Sequence, residues 1–245
     1  MRSVTRGGGP MGLDGQLKDL SLHHGADYFG VAGLTQAYNA ILDQGGASIA
    51  EYLRAISVGI ALPHSIVNQL PSRTERAVAM IYRHYAYDVI NDRLDLLVSR
   101  LTSVLQQAGH RVFPVPATKT TDLDRLCAVF SHKLAAHLAG LGWIGKSCLL
   151  ITPSVGPRVR WATVLTDAPI TETGEPMAER CGDCMECVKI CPMQAFTGEP
   201  FRENEPRDVR YNAGKCSRYL AKMGEKDPES AVCGLCLYVC PYGRQ

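Results

Sequence analysis

Cys181-Gly-Asp-Cys184-Met-Glu-Cys187-Val-Lys-Ile-Cys191-Pro192 is the stretch that decides how the rest of this chain is read. Three cysteines at two-residue intervals, then a fourth followed by proline, form the C-x2-C-x2-C-x3-C-P run of cubane iron–sulfur ligation. Three closely spaced thiolates grip one cluster corner by corner. The proline turns the chain, so that the fourth thiolate points into a neighbouring site. A second set follows at Cys216, Cys233, Cys236 and Cys240, with Pro241 after the last. Eight thiolates suit two 4Fe–4S clusters. The crossover assigns Cys181, Cys184, Cys187 and Cys240 to one cluster and Cys191, Cys216, Cys233 and Cys236 to the other. Cys216 is the displaced member, standing in for the first cysteine of a simple second repeat. Paired C-x2-C motifs also bind zinc, but zinc needs neither the three-cysteine run nor the two Cys-Pro endings.

Only Cys127 and Cys148, of the ten cysteines, lie before this window, and they are expected to be small buried residues. The chain has 245 residues, 46% of them hydrophobic and 20% charged, enough to bury a sizeable core. Lys+Arg 26 against Asp+Glu 24 leaves a net charge of +2 with no long single-sign run. That balance offers no broad basic surface for phosphates and argues against a dedicated nucleic-acid binder. No stretch approaches the ~20 apolar residues of a membrane span. Met1 to Gly12 carries two arginines without an apolar run behind them, and is expected to be a flexible tail rather than a secretory signal. Clustered thiols in a chain without an export signal suit a reducing, cytoplasmic setting.

The region from 13 to 175 alternates helical and strand patterns. Leu13, Leu17 and Leu20 predict an opening helix, and Tyr28–Ala32 a buried strand. Ile49, Tyr52, Leu53 and Ile56 predict a second helix, and Val58–Leu62 a strand stopped by Pro63. Ile90, Leu94, Leu97, Leu101 and Val104 mark an amphipathic helix of about five turns. Strands are expected at 111–115, 149–152 and 159–166, and a helix over 131–139. This alternation predicts an α+β protein, with an α/β sandwich over 13–175 and a cluster-binding domain over 176–245.

Gly140-Leu-Gly-Trp-Ile-Gly-Lys-Ser147 matches the P-loop pattern, yet its context is reversed. A helix precedes it and a strand follows, whereas phosphate cradling needs a strand before and a helix after. A nucleotide-driven reductase is therefore the weakest of the functional readings.

The same segment carries a resemblance. Ser131-His-Lys-Leu-Ala-Ala-His-Leu-Ala-Gly-Leu-Gly-Trp-Ile-Gly-Lys146, then Ile151-Thr-Pro, Gly156-Pro-Arg-Val-Arg160, Leu165-Thr-Asp167 and the double-cluster cysteines, resembles the epoxyqueuosine reductases. It is also similar to the catalytic half of the corrinoid-dependent reductive dehalogenases. The resemblance covers Phe130 to Pro241 and, more loosely, Tyr82 to Leu94. It implies a nitroreductase-like fold cradling cobalamin, followed by a ferredoxin-like domain that feeds it electrons. By the same resemblance Gly140, Gly142, Trp143, Gly145, Arg158 and Arg160 would contact the corrinoid, with Lys146 the basic residue near the reaction centre. Tyr87, among Tyr82, Tyr85 and Tyr87, would be the proton donor. A ferredoxin or flavodoxin-type electron donor is expected as partner.

Two departures from the epoxyqueuosine pattern shape the substrate expectation. Those reductases carry an acid in an Asp-x-x-Pro setting before the glycine motif. Here Asp122 and Asp124 lack the proline, and Leu126 stands at the acid's place. Those reductases also continue into a helical-repeat extension that helps to hold tRNA, whereas this sequence stops at Gln245. Together with the near-neutral charge, this predicts a small-molecule substrate and makes tRNA an unexpected partner. The alternative is an electron-transfer or activator protein with no corrinoid of its own.

Overall fold

The computed structural model describes residues 12–203 and 205–244, so the expected tail over Met1–Gly12 lies outside it except for Gly12. The helices of the first part are α1 Leu13–His23, α2 Tyr38–Gly45, α3 Ala47–Ala50, α4 His64–Val67, α5 Arg76–Arg83, α6 Ile90–Gln107 and α7 His132–Leu138. The strands are β1 Tyr28–Gly33, β2 Arg54–Ala61, β3 Val112–Val115, β4 Trp143–Ile144, β5 Leu150–Ile151 and β6 Val159–Thr166. Short helices α8 Glu186–Lys189, α9 Ala213–Gly224 and α10 Leu235–Val239 carry the cysteine-rich end.

Four strands pair antiparallel in the order β1-β2-β6-β3, while β4 and β5 form a separate hairpin. At the centre Ile56 opposes Val164 and Val58 opposes Ala162. Successive side chains of a strand point to opposite faces, and here both faces are covered. Val31, Ile56, Val58 and Val164 pack against Leu17 of α1 and Leu94 and Leu101 of α6. Ala32, Ala55 and Leu165 face Ala135 and Leu138 of α7. Leu94, Leu101 and Leu105 are completely buried, and burial of each such side chain contributes about 1.5–3 kcal/mol.

Double coverage explains one correction. The helix expected through Ile49 and Ile56 ends at Ala50, and Arg54 already opens β2. A strand buried on both faces loses its alternation and reads as a plain apolar run, which short windows confuse with a helix.

Between α5 and α6 the chain makes a π-helical turn over His84–Val89. One added residue per turn rotates Tyr85 and Tyr87 off the stripe that an uninterrupted α-helix would give them. The cysteine-rich end is docked on the first part. Val232 and Leu237 sit in the same core as Leu70 and Tyr82. Among the described residues, no helix is long and apolar enough to cross a membrane.

Candidate iron–sulfur centres and the surface they face

The fold gathers the eight clustered cysteines into two neighbouring groups. Cys187 is surrounded by Cys181, Cys184 and Cys240. Cys236 is surrounded by Cys233, Cys216 and Cys191, with Cys187 of the other group also nearby. Burial, with the neighbouring cysteines adding to it, pushes the Cys187 thiol up to about 12. Burial first, then the Glu179 side chain, pushes Cys181 up to about 11. Four crowded, half-buried thiols become thiolates together only around a compensating positive core. Among the described residues, no three His, Cys, Asp or Glu side chains stand close enough to hold a single metal ion. A cubane is larger than one ion and holds its thiolates farther apart. Two groups of four cysteines are the donor set that two 4Fe–4S clusters need.

Hydrogen-bond donors surround the sulfurs. The Ala195 amide donates to Cys191 Sγ at 3.3 Å, the Tyr242 and Gly243 amides favour the Cys240 thiolate, and the Tyr211 hydroxyl favours that of Cys216. Such donors tune cluster potentials.

The glycine motif belongs to this setting. Gly140, at φ +74°, ends α7 with a left-handed turn, and a Cβ there would press on the Glu175 backbone. A Cβ on Gly142 would collide with the Ile151 carbonyl oxygen, so the β4–β5 hairpin requires the bare backbone. A Cβ on Gly145 would lie 2.9 Å from the Ile151 side chain and 3.2 Å from Cys181 Sγ. Trp143 is buried, with Arg180 over its ring and Tyr242 edge-on at 4.7 Å. Its indole N–H closes no hydrogen bond and favours the Cys181 thiolate. Lys146 is only 8% exposed, and its ammonium donates to the Gly182 carbonyl at 2.6 Å. The motif is therefore a wall for the first cysteine loop. The P-loop reading fails on the same facts, since α7 precedes the glycines and a hairpin follows.

Arg158 is fully buried, where it donates to His64 Nδ1 at 2.9 Å and to the Tyr238 carbonyl. A cavity of about 670 Å³ lies beside Pro192 and α9, and one of about 190 Å³ between α1 and β1. None of Gly140, Gly142, Trp143, Gly145, Arg158 and Arg160 lines either. Protein atoms stand directly against Gly140, Gly142 and Gly145, and Gly243 packs on Arg158, so these residues face the protein interior.

Tyr87 and Arg160 meet. The Arg160 guanidinium lies over the Tyr87 ring, 4.5 Å from its centroid. It is held there by Asn91 Oδ1 at 3.1 Å and Thr118 Oγ1 at 2.6 Å. Tyr82 packs edge-on against Tyr87 with ring centroids 6.0 Å apart. Burial raises the Tyr82 pKa, and Cys233 and Cys236 are among its electrostatic neighbours. Tyr82 is buried and Tyr85 packs against the core, whereas Tyr87 is 38% exposed. The π turn thus gives one aromatic column from the second cysteine group to a cation-capped surface. His132, the first residue of α7, bonds to Thr163 of β6 and to the Pro116 carbonyl, and burial lowers its pKa to about 4. Asn91 and Thr118 carry no sequence signal, because only β6 brings Arg160 to them.

Comparison with known proteins agrees with this geometry. The profile of the family described as "4Fe-4S double cluster binding domain" matches residues 180–243. An epoxyqueuosine reductase of Leadbetterella byssophila is 28% identical over 184 residues, covering 72% of this chain and 56% of that protein. A crystal structure of epoxyqueuosine reductase with an epoxyqueuosine-modified tRNA-Tyr stem loop aligns over 93% of this chain and 64% of its own, at TM-score 0.57 and 20% identity. A reductive dehalogenase whose structure is described as suggesting a mechanism for B12-dependent dehalogenation aligns over 99% of this chain and 34% of its own, at TM-score 0.66 and 17% identity. The chain thus carries a double-cluster domain, is similar to oxidoreductases of these two kinds and spans little more than half of the first relative's length. One expectation is corrected. A solved relative holds tRNA, so a near-neutral overall charge does not set this substrate class aside, since a modest local surface suffices for a short stem.

Proposed function

We propose that the chain is an iron–sulfur reductase in which Cys181, Cys184, Cys187 and Cys240 hold one cluster and Cys191, Cys216, Cys233 and Cys236 the other. The clusters, when bound, supply electrons one at a time. The observation that carries the reading is the Tyr82–Tyr87–Arg160 column, which runs from the second cysteine group to the surface. Arg160, pinned by Asn91 and Thr118, holds a fixed positive charge where an acceptor gains negative charge, without reorganisation at the moment of reaction. Tyr87 presents its hydroxyl as the proton source, in the role that an acid fills in the related reductases. Lys146 and Trp143 position the Cys181 loop rather than touch the acceptor. The nitroreductase-like sandwich over 13–175 is the frame for this surface, and 176–245 is the electron relay.

The acceptor class we assign is that of the relatives, a nucleoside epoxide on tRNA. Two electrons and two protons remove the epoxide oxygen as water and leave an alkene. The test is anaerobic incubation of the reconstituted, dithionite-reduced protein with an epoxyqueuosine-modified stem loop, read by mass spectrometry. Loss of one oxygen from the nucleoside, abolished in Tyr87→Phe with iron content unchanged, is expected. An unreacted stem loop with a fully reduced protein overturns the assignment. Iron, cobalt and flavin per chain, measured on the same sample, separate this reading from a corrinoid enzyme and from a bare electron carrier.

A further inference from the structure

The cavity of about 670 Å³ takes no part in the chemistry above. Its size is that of an ordinary small-molecule site. Three cations line it from two elements: Arg218 and Lys222, one turn apart on α9, and Arg73 from the turn after Leu70–Ser72. No acidic side chain lines it. Among the described residues, Arg218 and Lys222 make no side-chain hydrogen bond and none of the three cations has an ion-pair partner. Like charges at i and i+4 on one helix repel, so an unneutralised pair facing a cavity is a standing cost that a bound anion removes. Arg73 donates to the Tyr219 hydroxyl at 2.7 Å, yet its buried Nε has no partner at all. The rest of the wall is apolar and soft, built from Met193, Met223 and the Tyr219 ring. Methionine and aromatic faces of this kind suit a flat organic body.

We infer that this cavity binds an amphipathic organic anion, its phosphate or carboxylate held by Arg73, Arg218 and Lys222 and its flat apolar body against Met193, Tyr219 and Met223. Its place in the chain is informative. Pro192 of the wall directly follows Cys191, and α9 carries Cys216 as well as both of its cations. No lining residue comes from the Cys181–Cys187 loop. A ligand here adjoins the second cluster's cysteines alone. That placement rests on the ligand assignment proposed above, whereas the binding site does not.

Flavin mononucleotide and riboflavin are the probes, because they share one body and differ by the phosphate. Anaerobic calorimetric titration of the reconstituted protein should give flavin mononucleotide at least a tenfold advantage over riboflavin. Arg218→Ala combined with Lys222→Ala removes two exposed side chains and should abolish that advantage while leaving riboflavin binding in place. Equal affinity for the two probes, no binding of either, or an unchanged advantage in the double variant overturns the proposal. Inorganic phosphate binding as tightly as flavin mononucleotide overturns its apolar half. Iron content and the visible cluster spectrum of the same samples report on the cluster reading separately, so either can fail without the other.

Discussion

Replacing Lys146 with methionine removes a buried cation from beside one cluster site and leaves the other site alone. The ammonium is 8% exposed and bonds the carbonyl of Gly182, the residue after Cys181. At an effective dielectric constant of about 20, a unit charge and an added electron separated by about 8 Å interact by about 2 kcal/mol. A one-electron couple moves about 59 mV for each tenfold change in equilibrium constant, so the expected fall in reduction potential is about 90 mV. The sign follows from the charge, since the cation favours the state with the extra electron. Redox titration followed by low-temperature electron paramagnetic resonance would resolve the two centres. The Cys181 cluster should become harder to reduce, the Cys191 cluster should hardly move, and Lys146→Arg should stay close to the parent. A Lys146→Met protein with its full iron complement and two unchanged potentials would refute the reasoning. So would two potentials that fall together, because the wall touches only one loop.

Further outcomes test other parts of the structure. Cys184→Ala should lose about half of the bound iron, whereas Cys127→Ala and Cys148→Ala should keep it all, as measured by iron analysis of reconstituted protein. Gly142→Ala should cost more than ~3 kcal/mol by forcing the β4–β5 hairpin apart, read as a lowered unfolding midpoint or as insoluble protein. His132 has its pKa lowered from 6.5 to about 4 by burial. Its neutral form therefore stabilises the fold fully above about pH 6.5, and that contribution fades as pH falls toward 4, by roughly 2 kcal/mol at pH 5 and roughly 3 kcal/mol near pH 4. Denaturant titrations at pH 7 and pH 5 should show this loss, and His132→Gln should flatten it. A slope unchanged in the variant would assign the effect to other groups.

The double-cluster domain was legible because iron–sulfur chemistry needs particular residues at particular short spacings, and Cys181–Pro192 supplies them locally. The helix of Leu94, Leu97 and Leu101 was legible for a similar reason, since one of its faces is wet and the period survives. β2 was not, because two layers cover it and erase the alternation that marks a strand. The glycine motif was visible as a motif, but its purpose was hidden. Gly145 meets Cys181 across thirty-six positions of chain, and nothing local in Gly-Trp-Ile-Gly-Lys announces a sulfur neighbour. Tyr87 could be picked from three candidates only as one of a class. The π turn that brings it alone to the surface depends on one extra residue in a helix, which periodicity over such a short stretch does not resolve.

The wall around Cys181 also has an order in time. A chain made from its N-terminus folds its earlier part first, and residues 143–146 leave the ribosome well before the cysteines they shelter. The β4–β5 hairpin can therefore be in place when the thiols arrive, whereas Trp143 and Lys146 take their final contacts only with Arg180, Gly182 and Tyr242. The cysteine-rich end, by contrast, contributes Val232 and Leu237 to a core that the earlier residues own. Cut free at residue 176, it would keep all eight clustered cysteines and lose the wall that Gly145 and Lys146 set against Cys181 and Gly182.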